Sequence, residues 1–410
     1  MHKFTMQEFY ILRTLEETLL RATAEFPAVV LVGPRQSGKT TLLKHLFSGE
    51  RQLISLELPD VRLAAEQDPR TFLRLYPAPV IFDEIQYAPI LLPYIKEQID
   101  QNRHQSGQYI LTGSQNILLM DRVSESLAGR TAVLKLFPLT RSEIDGQPQR
   151  QLPWQTAQVL PPCRKDTAIW QQILRGSFPE IVSQPTRDLQ LWVASYLQTY
   201  LERDIRLQRE ISDLSRFQTF LRLLALRAAQ LLNLSDLARE VGASVNTIKE
   251  WLSLLEANLQ ILFLRPYARN LGKRLVKSPK IYFVDSGLLC YLLGLRNAQQ
   301  LAASSLSGAI FENYVIAEIY KRKMHQAEES PLYFWRTFNG QEVDLIVEDG
   351  QRLIPIEIKQ TATPFPSMAK GLIAFRSLFP EQVTQSYLIH NGDHILPLGE
   401  DVLAIPLSSL

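Results

Sequence analysis

Val29-Val30-Leu31-Val32-Gly33-Pro34-Arg35-Gln36-Ser37-Gly38-Lys39-Thr40-Thr41 is the stretch whose reading decides the fold. It fulfils G-x-x-x-x-G-K-[ST] directly after an apolar segment that reads as a buried strand. Leu42-Leu43-Lys44-His45-Leu46-Phe47 then opens a helical pattern. Strand, loop and helix in that order are the setting of a phosphate-binding loop. Gly33 and Gly38 let the backbone curl until several N–H groups face one anion, and the helix start adds its positive end. Gly33, Pro34, Arg35, Gln36, Ser37, Gly38, Lys39, Thr40 and Thr41 are therefore the expected nucleotide-binding residues. Lys39 would reach the β- and γ-phosphates, and the Thr40 hydroxyl would help to hold Mg²⁺.

The segments that follow narrow the class. Gln52-Leu53-Ile54-Ser55-Leu56-Glu57-Leu58 reads as a strand, and Pro79-Val80-Ile81-Phe82-Asp83-Glu84-Ile85-Gln86 as another that ends in two acids. Asp83 is expected to meet Mg²⁺ through water and Glu84 to polarise the attacking water. The plainer reading is that both acids cap the next helix. Gln108-Tyr109-Ile110-Leu111-Thr112-Gly113-Ser114-Gln115-Asn116 is a further strand. Its polar end meets the γ-phosphate if the strand lies between the two motif strands, an insertion that marks ATPases with a catalytic glutamate. Ser114 or Asn116 is then the polar sensor, and Thr112 faces either the site or the core. Arg130, between a helix ended by Gly129 and a last strand, is either an arginine finger, within its own subunit or toward a neighbour, or a surface ion-pair partner. Strands alternating with helices over residues 25–140 imply a parallel sheet flanked by helices.

Composition sets the outer bounds. The chain has 410 residues, which implies two or three domains, with 46% hydrophobic and 21% charged residues, as in an ordinary globular protein. A formal net charge of +2 says nothing decisive about nucleic acid, so any basic patch must be local. Two cysteines exclude a disulfide framework and suit a reducing cytosol. The polar N-terminus and the lack of long apolar runs point away from a signal peptide and a membrane span, hence to the cytoplasm.

The chain resembles the prokaryotic AAA-type ATPases that carry a C-terminal domain of unknown function. The residues that carry the resemblance are Gly33 to Thr41, Phe82-Asp83-Glu84-Ile85-Gln86, Leu111-Thr112-Gly113-Ser114-Gln115, Ser124-Glu125-Ser126-Leu127-Ala128-Gly129-Arg130 and Tyr196-Leu197-Gln198-Thr199-Tyr200-Leu201-Glu202-Arg203-Asp204-Ile205. It extends from about residue 10 to the end. It implies an AAA fold, ATP hydrolysis with ATP and Mg²⁺ as cofactors, and a restriction-endonuclease-like C-terminal module. It implies no particular biological role.

Residues 147–168, rich in proline and polar side chains, read as a linker. Residues 169–209 show helical periodicity, in which Glu202-Arg203-Asp204 is either a solvated face or, through Arg203, a neighbour of ATP. Leu234–Gly242 and Ala243–Leu259 read as a helix-turn-helix pair, followed by candidate strands at 261–267 and 280–284. From Arg265 to Lys280 there are six basic residues and no acid, the composition of a winged helix whose wing meets DNA phosphates. The other reading is a structural winged helix that packs domains together.

Gly308–Ile319 is an amphipathic helix, and Glu342–Val347 and Leu353–Lys359 are strands joined by the turn Glu348-Asp349-Gly350. Period-2 geometry puts Glu357 and Lys359 on one face, with Asp344 across the hairpin. With Glu312 from the helix, this resembles the D…(D/E)-x-K core of a metal-dependent nuclease.

The expected architecture is α/β. A P-loop AAA-type ATPase domain with a parallel sheet covers residues 1–146 and a linker 147–168. A helical, winged-helix region covers 169–300 and a restriction-endonuclease-like α/β domain 301–410. The leading expectation is Mg²⁺-dependent ATP hydrolysis that remodels DNA, bound through the wing at 265–280, or a protein partner, in a homo-oligomer and away from membranes. The alternatives are an ATP-gated nuclease in defence or repair and a nucleotide switch or scaffold without turnover.

Overall fold

The computed structural model describes residues 10–114, 123, 125–156, 168–201, 214–267, 278–328, 331–337 and 339–410. Asn116, residues 157–167 of the expected linker, Glu202-Arg203-Asp204 and residues 268–277 of the expected wing lie outside the described residues. The chain divides into two compact units. One comprises Met1–Gln149, Phe178–Arg187 and Met324–Ala327, the other Arg150–Ser177, Asp188–Lys323 and Glu328–Leu410.

The first unit is built on β1 (Ala28–Val32), β2 (Gln52–Ser55), β3 (Val80–Asp83), β4 (Tyr109–Gly113) and β5 (Thr131–Lys135). They form a five-stranded sheet in the order β2-β3-β4-β1-β5, with every pairing parallel. Strand β4 thus lies between β1 and β3, the insertion on which the reading of its polar end depends.

Parallel strands with helices on both faces are buried on both, and β1 shows this residue by residue. Ala28, Val30 and Val32 join one core with Phe82, Ile95 and Leu111. Val29 and Leu31 join the other with Leu19, Leu42 and Ile110. Helix Leu91–Gln101 contributes to the first core and helices Leu15–Glu25 and Lys39–Phe47 to the second. Burying one such side chain is worth roughly 1.5–3 kcal/mol. Two cores therefore clamp the strand that delivers the phosphate loop.

The second unit carries β6 (Ile261–Pro266), β7 (Lys280–Phe283), β8 (Leu332–Arg336), β9 (Glu342–Asp349), β10 (Arg352–Lys359), β11 (Ser386–His390), β12 (Leu396–Pro397) and β13 (Val402–Pro406). They form an eight-stranded sheet in the order β12-β13-β11-β10-β9-β8-β6-β7. One face is covered by helix Lys370–Leu378, whose Leu372 and Phe375 pack on Val343, Ile346, Leu353 and Leu388. Helices Leu234–Val241 and Val245–Ala257 precede β6, each capped by a side chain, Asn233 and Ser244.

Strands β6 and β7 pair antiparallel, as expected of the candidate wing. The same β6 also pairs parallel with β8, Arg265 opposite Tyr333. The wing strands and the C-terminal strands therefore share one sheet. One basic residue of the expected wing differs from its reading: Lys280 is 4% exposed and faces acids, because β7 closes the edge of this sheet.

Candidate active site

The phosphate loop joins the C-terminal end of β1 to helix Lys39–Phe47. Two of its glycines are dictated by geometry. A Cβ on Gly33 would come within 2.2 Å of the Leu136 carbonyl oxygen, and Gly38 holds φ +94°, a conformation that side chains disfavour. Lys39 is buried, and its Nζ donates to the Gly33 and Pro34 carbonyls at 2.9 and 3.2 Å. The ammonium is thus curled inside the loop.

Below the loop lies a buried ionic network that the sequence reading missed. Arg13 donates through Nη1 to the Ser37 carbonyl at 2.9 Å and through Nη2 to the Phe137 carbonyl at 2.7 Å. Its Nε lies 3.3 Å from Glu143. Glu143 also accepts from the Thr14 and Thr140 amides, both at 2.8 Å, and lies 3.3 Å from His325 Nδ1. Burial alone would raise the Glu143 carboxyl, but Arg13, His325 and these hydrogen bonds hold it well below the ordinary carboxylate range.

The two acids at the end of β3 occupy distinct places. Asp83 accepts from the Thr40 hydroxyl at 3.0 Å through Oδ2 and from the Thr112 hydroxyl through Oδ1. Glu84 stands in left-handed backbone, φ 57° and ψ 50°, and its amide donates to Thr112 Oγ1 at 3.1 Å. Its Oε2 accepts from the Ser114 amide at 3.2 Å, from the Ser114 hydroxyl at 2.9 Å and from Gln86 Nε2. Burial pushes the Glu84 carboxyl up, yet the Lys39 charge, the bonds from Gln86 and Ser114 and the Arg35 charge outweigh it and leave the carboxyl lowered. It is therefore ionised at neutral pH.

Thr112 faces the site rather than the core, where it bridges Asp83 to the Glu84 backbone. Ser114 is at the site too, but its hydroxyl is directed to Glu84. Arg130 is not. Residue Thr131 of β5 is in register with Ala28, at the start of β1, so Arg130 lies at the sheet edge opposite the phosphate loop. There it forms a two-pronged pair with Asp100, at 2.7 and 3.0 Å. Within this chain Arg130 is therefore not brought to the phosphate loop.

The residues present fit a bound Mg-nucleotide. Ser37 Oγ is buried in the loop with no hydrogen-bond partner among the described residues, and the Thr40 hydroxyl, at the start of the following helix, meets the Asp83 carboxylate at 3.0 Å. These are an unused phosphate ligand and the hydroxyl–carboxylate set that a hydrated Mg²⁺ takes. Residues 25–145 match the family model described as AAA domain. This segment is similar to AAA domains. The match and the loop geometry together support ATP binding by the AAA-type domain.

The remaining chain matches two models named only as domains of unknown function, DUF8612 over residues 166–299 and DUF4143 over residues 307–410. The chain is 29% identical to the uncharacterized protein Rv2008c of Mycobacterium tuberculosis over 401 residues, 96% of this chain and 82% of that protein. The figures are the same for the uncharacterized protein Mb2031c of Mycobacterium bovis. Among solved structures, the Walker-type ATPase PABY2304 of Pyrococcus abyssi is 16% identical over 70% of this chain and 97% of its own, with a TM-score of 0.46. AMPPCP-bound DnaA of Aquifex aeolicus is 14% identical over 59% of this chain and 85% of its own, with a TM-score of 0.29. Likenesses at these scores carry no argument about this chain.

In the second unit the structure brings together Glu312, Asp344, Glu357 and Lys359, the residues singled out as nuclease-like. Lys359 Nζ lies 2.5 Å from Glu357 Oε1 and 3.6 Å from Asp344 Oδ2. The Ile358 amide donates to the same Asp344 oxygen at 2.9 Å. Burial and the Asp344 charge push Glu312 up to about 7 and Glu357 up to about 8. Lys280, Tyr282 and Glu342 join the cluster unforeseen. Among the described residues no group of three or more His, Cys, Asp or Glu side chains is arranged to hold a metal ion.

Proposed function

We propose that the protein is a Mg²⁺-dependent ATPase whose turnover acts on DNA or on a bound protein. The observation that carries this reading is Glu84, an ionised carboxylate held beside Asp83 and Thr40 at the mouth of the phosphate loop. In that position Glu84 orients the attacking water and accepts its proton, for which a carboxylate ionised at neutral pH is suited. Lys39 leaves the loop carbonyls to neutralise charge on the β- and γ-phosphates. Thr40 directly and Asp83 through water would hold Mg²⁺, which neutralises charge on the same phosphates when bound. Ser114 and Gln86 keep the Glu84 carboxylate aimed, and Thr112 ties the Glu84 backbone to Asp83. Arg130 has a catalytic role only toward a neighbouring copy in a homo-oligomer.

For the substrate, we read the pair Leu234–Val241 and Val245–Ala257 with β6 and β7 as a winged-helix unit, in a module of restriction-endonuclease-like plan. Exposed Arg265 favours DNA, while Lys249 is countered by Glu250 and Glu256 on the same helix and the burial of Lys280 takes one charge from the wing. Among the described residues no helix is long and apolar enough to cross a membrane, and we place the protein in the cytoplasm. We do not advance the nuclease alternative, because a lysine ammonium already sits among the acids.

Phosphate release by the full chain, with Mg²⁺ and with or without single- or double-stranded DNA, tests the proposal. Release that needs Mg²⁺ and rises with DNA supports it. No release under any condition overturns it in favour of a nucleotide switch.

A further inference from the structure

The second unit gathers four carboxylates, Glu312 from helix Ser307–His325, Glu342 and Asp344 from β9 and Glu357 from β10. Such a set would attract a divalent cation, which needs oxygen ligands within roughly 2.0–2.6 Å of one centre. In this chain a side chain has taken that centre. Lys280 Nζ lies 2.5 Å from Glu342 Oε1, 3.1 Å from Glu312 Oε1 and 3.8 Å from Asp344 Oδ1. The Phe334 ring lies 5.7 Å below the ammonium and closes the box on its apolar side.

Three of the four acids are also committed elsewhere, while Glu357 pairs with Lys359 through Oε1 and its buried Oε2 has no hydrogen-bond partner among the described residues. Tyr282, on the same face of β7 as Lys280, donates to Glu312 Oε1 at 2.7 Å. The second Asp344 oxygen accepts from the Ile358 amide and pairs with Lys359. Arg336 lies 3.5 Å from Glu342. Both Asp344 oxygens therefore face a lysine, and a metal would have to displace a buried ammonium to reach three of the four carboxylates. Displacing the Lys280 ammonium would leave it buried without its carboxylate partners, which is costly.

We infer that Lys280 is the resident cation of this cluster and that, as folded, the cluster is closed to divalent metal ions. The consequence is that the module presents the acids of a nuclease core without its metal chemistry. The ammonium instead ties β7 to β9 and to the helix that bears Glu312. This stands independently of the ATPase reading, since none of these residues belongs to the AAA-type domain.

The test is Mn²⁺ binding to the full chain without nucleotide, followed by electron paramagnetic resonance. Four proteins are compared: wild type, Asp344→Asn, Lys280→Met and Lys280→Met with Asp344→Asn. Wild type and Asp344→Asn are expected to bind Mn²⁺ alike. Lys280→Met is expected to bind it ~10-fold or more tightly, and the double variant to lose that gain. Wild-type binding that Asp344→Asn abolishes would overturn the inference. So would a folded Lys280→Met that gains nothing. If Lys280→Met does not fold, the comparison of wild type with Asp344→Asn decides alone.

Discussion

Arg13 and Glu143 meet at 3.3 Å beneath the phosphate loop, both buried, with Arg13 also holding the carbonyl of Ser37 inside that loop. The pair thus fastens the loop backbone to the segment that follows β5. Arg13→Met leaves Glu143 charged and buried with one cation fewer, a change that costs about 3–5 kcal/mol. Urea unfolding should show that loss. Titration calorimetry should show weaker ATP binding, since the Ser37 carbonyl is no longer held. Unchanged stability would mean that the pair is not what fixes the loop.

Protonation affects the two units in opposite directions. The Glu143 carboxyl is lowered on folding, so its stabilisation is complete above the unfolded value of about 4.3 and is lost as pH falls below it. Glu357 is raised to about 8, so its contribution is complete below the unfolded value and is lost as pH rises toward 8. Thermal melts should therefore show the second unit losing stability as pH rises from about 4.3 to about 8. Glu357→Gln, which cannot ionise, should flatten that slope; an unchanged slope would show that Glu357 does not titrate in this window.

Lys39→Ala should reduce ATP binding below detection by calorimetry while leaving the thermal melt of the apo protein close to wild type. In the apo protein Lys39 Nζ is committed to carbonyls of its own loop, so its removal costs the nucleotide contact more than the fold. Retained affinity would remove Lys39 from the phosphate site.

Ser114 donates both its amide and its hydroxyl to Glu84. Ser114→Ala keeps the first bond and loses the second, which raises the Glu84 carboxyl and loosens its aim. We expect kcat to fall about 10-fold with KM nearly unchanged, and the acid limb of the pH–rate profile to move to higher pH. A rise in KM alone would assign Ser114 to phosphate contact instead.

The parts of this site that were legible in the sequence are those set by local pattern. Gly33, Gly38, Lys39 and Thr40 follow from loop geometry. Asp83 and Glu84 follow from two acids closing an apolar strand, and the insertion of β4 completes the order. The β9–β10 hairpin likewise placed Asp344, Glu357 and Lys359 together through its period of two. Thr112 was ambiguous because both faces of β4 are buried, so alternation does not tell site from core. Arg13, Glu143 and His325 left no signal, because contacts between residues so distant in the chain arise only from the tertiary fold. Lys280 was counted with the basic wing for a related reason. Nothing local shows that β6 extends the sheet of β8 and so brings β7 to the acids. Arg130 stayed open between a finger and a surface ion-pair partner because its position depends on the direction of β5 relative to β1.

The most direct test of the account is Glu84→Gln, assayed for ATP binding and for phosphate release side by side. The exchange keeps the size of the side chain and removes its negative charge and its basicity. The account predicts ATP affinity within a few-fold of wild type and turnover lower by about 100-fold or more. Hydrolysis at a near-wild-type rate would contradict it.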